Sequence, residues 1–249
     1  MNNDSVSFES YQDMAEYYFE YIDNKPFNAD YERPGLISIL PEVEGKKVLD
    51  AGCAAGWYTD WLNKNGAEVI AVDFSPNMVK MAKKRVGEKA NIIQADLNDP
   101  LDFLEDKSQD IILSSLTLHY IKNWDDVMKE FNRILQPGGY LVFSVHHPFM
   151  DYTYFNRENY FEIALLQDTW NTPYGKIDIE FYRRPLSEIT RPVNDNGFII
   201  ERIEEPMPTY KFKEKLPEKY EKLKRKPQFL FIRSRKELCD AKIKKRKLL

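Results

Sequence analysis

Asp50, Asp73 and Asp96 each close a short apolar run, in V-L-D, V-I-A-V-D and I-I-Q-A-D, and the first is followed by Ala51-Gly52-Cys53-Ala54-Ala55-Gly56. Small residues let a backbone turn tightly and pass close to a ligand, while the helix that follows presents unpaired N–H groups. In an open parallel sheet, ligands sit beyond the carboxyl ends of the strands. A carboxylate at the second such end can accept hydrogen bonds from both hydroxyls of a ribose. Singly, a turn of this kind is a plain connection and an Asp after a strand is a helix cap. Three of them in chain order describe a nucleoside site. A second set of groups suits proton transfer: His119 follows a fourth apolar run, and His146 and His147 close a fifth before Pro148. Histidine titrates near neutrality and can deprotonate a hydroxyl or phenol, so His119 and His147 are the candidate catalytic bases. Bracing a helix or packing is the competing use for both. No metal site is read in the chain.

The elements that must position these residues follow from periodicity. β-like runs at 46–50, 68–73, 91–96, 110–115 and 140–146 alternate with helical segments, which predicts right-handed crossovers and a parallel sheet. A helix over 57–65 is stopped by Gly66. Ser75-Pro76 opens another with a capping hydroxyl and proline at the first helical position. Val127, Met128, Phe131, Ile134 and Leu135 mark a helix over 125–135, which Gln136-Pro137-Gly138-Gly139 breaks. Phe8, Tyr11, Ala15, Tyr18 and Ile22 predict an amino-terminal helix, in a helical cap over 1–45. The rhythm lapses over 147–184, where strands at 167–170 and 176–182 flank the turn Thr172-Pro173-Tyr174-Gly175; this stretch reads as an insertion between the core of 46–146 and its remainder, 185–238. There a helix at 186–196 precedes strands at 198–203 and 228–234. The basic run within 239–249 reads as a solvated tail.

The chain of 249 residues, 43% hydrophobic, is long enough for one sizeable domain with its own core. Cys53 and Cys239 stand far apart and form no disulfide framework, so a reducing, cytoplasmic setting is expected. No apolar run approaches a membrane span, and the amino terminus lacks the basic and apolar parts of a signal peptide. With 36 Lys and Arg against 40 Asp and Glu, the net charge of −4 argues for neither a nucleic-acid nor a membrane partner.

The runs V-L-D-A-G-C-A-A-G, V-I-A-V-D-F-S-P-N-M and I-I-Q-A-D-L resemble class I S-adenosylmethionine-dependent methyltransferases, most closely the ubiquinone/menaquinone-biosynthesis-like branch. The resemblance covers residues 46–146 and implies a Rossmann-like, seven-stranded, mostly parallel sheet with helices on both faces and an antiparallel last strand. It further implies S-adenosylmethionine as methyl donor and S-adenosylhomocysteine as product. On the matching positions, Gly52 and Gly56 line the methionine part, with Asp50 near its amino group and Ser115 facing it. Asp73 holds the ribose, Phe74 or Met78 flanks the adenine, Asp96 meets its amine beside Leu97, and Cys53, Ala54 and Ser75 are further cofactor-binding candidates. The run Tyr11-x-x-Met14-Ala15-x-Tyr17-Tyr18 resembles an element that closes over the cofactor. Many relatives carry glycine where this chain has Ala54; positive φ there would cost about 1 kcal/mol.

The insertion is expected to cap the substrate. Tyr152, Tyr154, Phe155, Tyr160, Phe161, Trp170 and Tyr174 are its candidate cavity residues, with Tyr152, Trp170, Tyr11 and Tyr18 assigned to the substrate side. Arg33 reads as a surface arginine or a partner for a carboxylate. The expected activity is in-line methyl transfer to a small-molecule acceptor by a monomer or homodimer. An RNA-modifying methyltransferase and a non-catalytic S-adenosylmethionine-binding protein are the alternatives. A nicotinamide oxidoreductase is disfavoured, because G-x-A-x-G is one residue tighter than that fingerprint.

Overall fold

The computed structural model describes residues 6–173 and 175–238. Residues 1–5, Tyr174, Cys239 and the basic tail over 239–249 lie outside them. The strands are β1 (Lys47–Ala51), β2 (Glu68–Asp73), β3 (Asn91–Gln94), β4 (Gln109–Ser115), β5 (Leu135–His146), β6 (Ala164–Thr172), β7 (Gly175–Arg183), β8 (Phe198–Glu204) and β9 (Phe229–Lys236). Seven form one sheet in the order β3-β2-β1-β4-β5-β9-β8, parallel from β3 to β5, with β9 antiparallel to both neighbours. This is the Rossmann-like sheet expected. The order reverses beside β1, which places the ends of β1 and β4 at the switch point where ligands bind.

Helices α1 (Phe8–Asp13) and α2 (Ala15–Tyr21) replace the single amino-terminal helix expected, and α3 (Arg33–Ile39) follows a π-helical turn at Asn28–Glu32. The crossovers are α4 (Trp57–Lys64), α5 (Pro76–Val86) and α6 (Trp124–Ile134). α7 (Pro148–Tyr154) opens the insertion, and α8 (Leu186–Asp195), α9 (Tyr210–Lys215) and α10 (Pro217–Leu223) complete the set. One face of the sheet buries Trp124, Phe131 and Val193 from α6 and α8. The other buries Leu36, Leu62, Val79 and Phe212, drawn from α3, α4, α5 and α9. α5 shows why the local sequence makes a helix: Ser75 accepts from the N–H of Met78, Pro76 takes the first turn, and Lys83, Lys84 and Arg85 sit at the negative end of the dipole.

Gln136-Pro137-Gly138-Gly139 does more than end α6. It bulges inside β5, because Gln109 pairs with Leu135 and Ile111 with Tyr140, leaving Asp110 alone opposite the four. β6 and β7 form a separate two-stranded ribbon, longer than expected. Alternate residues of it, Leu166, Ile179 and Phe181, pack inward against Met14 and Tyr120. Ser7 and Ser10 tie the amino-terminal segment to this ribbon, each Oγ donating to a carbonyl of β7, Glu180 and Asp178. Among the described residues no helix is long and apolar enough to cross a membrane.

Candidate active site

At the end of β1 the N–H groups of Gly52 and Cys53 both donate to the carbonyl of Val72, 2.9 Å away, which turns the chain back over β2. Gly52 takes φ +86°, and a Cβ there would lie 2.2 Å from Thr117 Oγ1. Ala54 adopts φ +45°, the left-handed region that strains any residue with a Cβ. Its N–H donates to Asp73 Oδ2 at 2.8 Å, and the N–H of Ser75 donates to Asp73 Oδ1 at 3.0 Å. Asp73 therefore holds this turn as well as facing what lies beyond it. Burial pushes its carboxyl up to about 6.

A cavity of about 960 Å³ opens past these strand ends. Asp50, Gly52, Cys53 and Ala54 form part of its wall, with Asp73, Phe74, Asp96, Leu97 and Ser115 along the same side. Asp50 is buried, accepts from Thr59 Oγ1 at 2.6 Å, and is raised to about 7 by burial. Asp96 is half-buried and turns Oδ1 to the N–H of Asn98. Three expected cofactor residues stand elsewhere. Gly56 is off the wall; at φ +80° its missing Cβ lets Ala82 approach, so it serves the packing of α4 on α5. Ser75 and Met78 are wholly buried behind the wall, Ser75 capping α5 and donating to Gln12 Oε1.

Glu32 and Arg33 add two charged groups to the wall that periodicity did not single out. Glu32 is buried and accepts from Tyr58, Ser115 and Ser144, the last two standing side by side on β4 and β5. Arg33 is only 5% exposed, which corrects its reading as a surface residue. Its guanidinium lies 4.1 Å from the Trp57 ring centroid and pairs with Asp23. Such an anchored cation is suited to an anionic end group.

Tyr11 and Tyr18 from the amino-terminal helices and Trp170 of the ribbon also line the cavity; the Tyr11 ring lies 6.2 Å from that of Phe74, and its hydroxyl is hydrogen-bonded to Tyr120 at 2.7 Å. His119 is buried on the wall, stacked on His146 with ring centroids 4.2 Å apart. His147 is not on it: its Nδ1 accepts from the N–H of Phe149 as the cap of α7, and its Nε2 meets Glu205 at 2.7 Å. With both ring nitrogens engaged away from the cavity, His147 is a structural cap rather than the base expected. His146 occupies the cavity instead. Strand alternation places His146 on the face of Ser144, which contacts Glu32 on the cavity wall; alternation in the sequence separates His146 from His147 but does not say which face the cavity takes. Asp151 of α7 joins it, Oδ1 lying 3.6 Å from His146 Nδ1. Tyr154 and Phe155 line the cavity, but Tyr152 packs on Tyr160 and Arg183 behind it, and Phe161 is 76% exposed. Tyr152 is thus no substrate contact.

These buried groups set a pH dependence of stability. Burial raises Asp151 to about 8, as it raises Asp50 and Asp73. Each keeps its proton when folded at pH values where the unfolded chain, with carboxyls near ~4, has lost it. Their contribution therefore falls as pH rises from the unfolded value to the folded one. The histidines oppose this, since burial lowers His146 to about 4 and also lowers His119 and His147. That contribution grows with pH only up to the unfolded value near ~6.5. Above it, Asp50 and Asp151 are left to carry a downward slope. The ligand-free protein is expected to lose on the order of 2 kcal/mol between about pH 6.5 and 8.5. Urea unfolding measures this, with Asp151→Asn removing most of the loss; stability that rises across the interval would contradict the burial argument.

Residues 49–143 match the family model described as a methyltransferase domain. The solved structure of an S-adenosylmethionine dependent methyltransferase from Mesorhizobium loti is 26% identical, with a TM-score of 0.67, covering 86% of this chain and 100% of that one. Phosphoethanolamine N-methyltransferase 1 of Triticum aestivum is 36% identical over 44% of this chain and 23% of its own length. Demethylmenaquinone methyltransferase of Tropheryma whipplei is 34% identical over 44% of this chain and 46% of its own. The chain spans less than half the length of these two named relatives.

Proposed function

We propose that this chain, whose residues 49–143 match a methyltransferase domain and whose fold is that of a solved S-adenosylmethionine dependent methyltransferase, methylates a small-molecule acceptor held in the same cavity as the donor. The observation that carries this is the cavity itself. One space joins the Asp73–Asp96 rim to the His119 wall, and the aromatic ribbon and amino-terminal helices border it. The residues present fit the donor. Asp73 retains lone pairs beyond the two backbone bonds it accepts, enough for two ribose hydroxyls. Phe74 and Leu97 offer apolar surface to the adenine, with Asp96 beside its amine. Asp50, Gly52, Cys53, Ala54 and Ser115 would hold the methionine part, and Arg33 would pair with its carboxylate. When bound, S-adenosylmethionine supplies a methyl carbon activated by the sulfonium and leaves as S-adenosylhomocysteine.

The chain's own contribution is to orient the acceptor and keep out water. Tyr11, Tyr18 and Trp170 would enclose the acceptor. Relatives named for phosphoethanolamine and demethylmenaquinone favour a small acceptor. The charge balance of the chain gives an RNA acceptor no support. The test supplies methyl-labelled S-adenosylmethionine and the enzyme to separate small-molecule and RNA fractions of a cell extract. Label is expected in the low-mass fraction; label confined to RNA would overturn the acceptor class. Calorimetry alongside should show tight binding of S-adenosylmethionine and none of NAD.

A further inference from the structure

Beneath the ribbon, the cavity ends in a polar floor that the protein leaves without partners. Neither ring nitrogen of His119 has a hydrogen bond, and neither His146 Nδ1 nor Asp151 Oδ1 has one, the 3.6 Å between them being too long. His119 is 3% exposed and Asp151 2%. A buried polar group left unmade costs about 1–3 kcal/mol, so several in one place call for a guest that completes them. Phe181 stands edge-on to both imidazoles, at 5.9 and 4.7 Å, and makes the walls aromatic.

We infer that His119, His146 and Asp151 form the subsite for a phenolic hydroxyl of the acceptor, with His146 receiving its proton and Asp151 positioning His146. The inference rests on the methyl-transfer reading above. The chemistry of the floor selects the class. Burial keeps both imidazoles neutral near pH 7, and a neutral imidazole presents one donor and one acceptor, the complement of a hydroxyl that does both. Neutral imidazoles offer neither a cation to a carboxylate or phosphate nor an anion to an ammonium, and burial keeps the proton on Asp151 beside them. An alkanol is too weak an acid for an imidazole to deprotonate. In the transfer, the acceptor oxygen bonds to the methyl carbon as the C–S bond breaks and its electron pair stays on sulfur. The O–H proton passes to His146, whose Nδ1 faces Asp151. The products are a methyl ether, S-adenosylhomocysteine and an imidazolium.

The chain holds three histidines, of which His147 is outside the cavity and serves as an internal reference. The full-length protein saturated with S-adenosylhomocysteine is titrated with phenol while imidazole ¹⁵N resonances are followed. The expected result is a saturable shift of His119 and His146 with His147 unmoved. Phenol affinity should fall at least about tenfold in His146→Phe and in the isosteric Asp151→Asn, as for one lost hydrogen bond. Asp151→Asn should also move the His146 resonances before phenol is added. Shifts absent in the wild type, or variants that bind phenol as the wild type does, overturn the subsite. Tighter binding of tetramethylammonium or inorganic phosphate at the same resonances overturns the class. Calorimetry keeps the two readings apart: if S-adenosylhomocysteine binds and phenol does not, only this inference fails, whereas loss of S-adenosylhomocysteine binding by the wild type strikes the methyl-transfer reading.

Discussion

Replacing Asp73 by alanine is expected to weaken S-adenosylhomocysteine binding by about a hundredfold to ten-thousandfold in calorimetry. Two hydrogen bonds from ribose hydroxyls to a carboxylate are worth about 1.5–3 kcal/mol each, and each 1.4 kcal/mol is tenfold in affinity. The variant also strips an acceptor from the N–H groups of Ala54 and Ser75, so part of the loss comes from a turn no longer held. Asp73→Asn tests the carboxylate itself, since it keeps the side chain's size and one of its acceptors. Its amide keeps one acceptor oxygen and turns a donor toward the other N–H, so it disturbs the turn while losing the charge. Near-equal affinities of the alanine and asparagine variants, both far below wild type, would assign the effect to the carboxylate. Alanine-variant binding within threefold of wild type would remove Asp73 from the donor site.

The second large effect is at Gly52→Ala. The left-handed φ of +86° costs a residue with a Cβ about 1–2 kcal/mol, and a methyl 2.2 Å from Thr117 Oγ1 adds about 1–3 kcal/mol of overpacking. A loss of about 3 kcal/mol in urea unfolding is expected, together with loss of donor binding, because the strand end must move away from the cavity it lines. Thr117→Gly in the same chain clears the collision and leaves the dihedral strain. The double variant should thus recover roughly half of the stability. Additive losses in the double variant would show that Thr117 yields freely and that the close approach is unimportant.

The core between β1 and β5 was legible because its apolar runs alternate with helical stripes, and β1 and β2 each end in an Asp followed by small residues or Ser-Pro. What escaped the sequence reading was helix nucleated beside residues that usually break it. Pro34, Pro148 and Pro217 all sit in a first helical turn, where the missing N–H is no loss, so α7 and α10 were not singled out as helices and α3 only as part of the helical cap. Glu32 and Asp151 were missed with them. Gly56, Ser75 and Met78 were assigned to the cofactor because they lie within the right motifs, yet burial directs them into helix packing. Ala54 was legible even in its strain, since the position asks for glycine and the backbone at φ +45° shows why.

The two strands of the inserted ribbon satisfy each other's backbone groups from Ala164–Arg183 to Thr172–Gly175, and neither joins the larger sheet. Mutations on its inward-facing positions therefore leave every ladder of the seven strands in register. Gene duplicates that diverge along this ribbon would reshape one part of the cavity wall and leave the strand ends that form another part in place. Grafting the ribbon of one such descendant onto another is the corresponding route for an engineer.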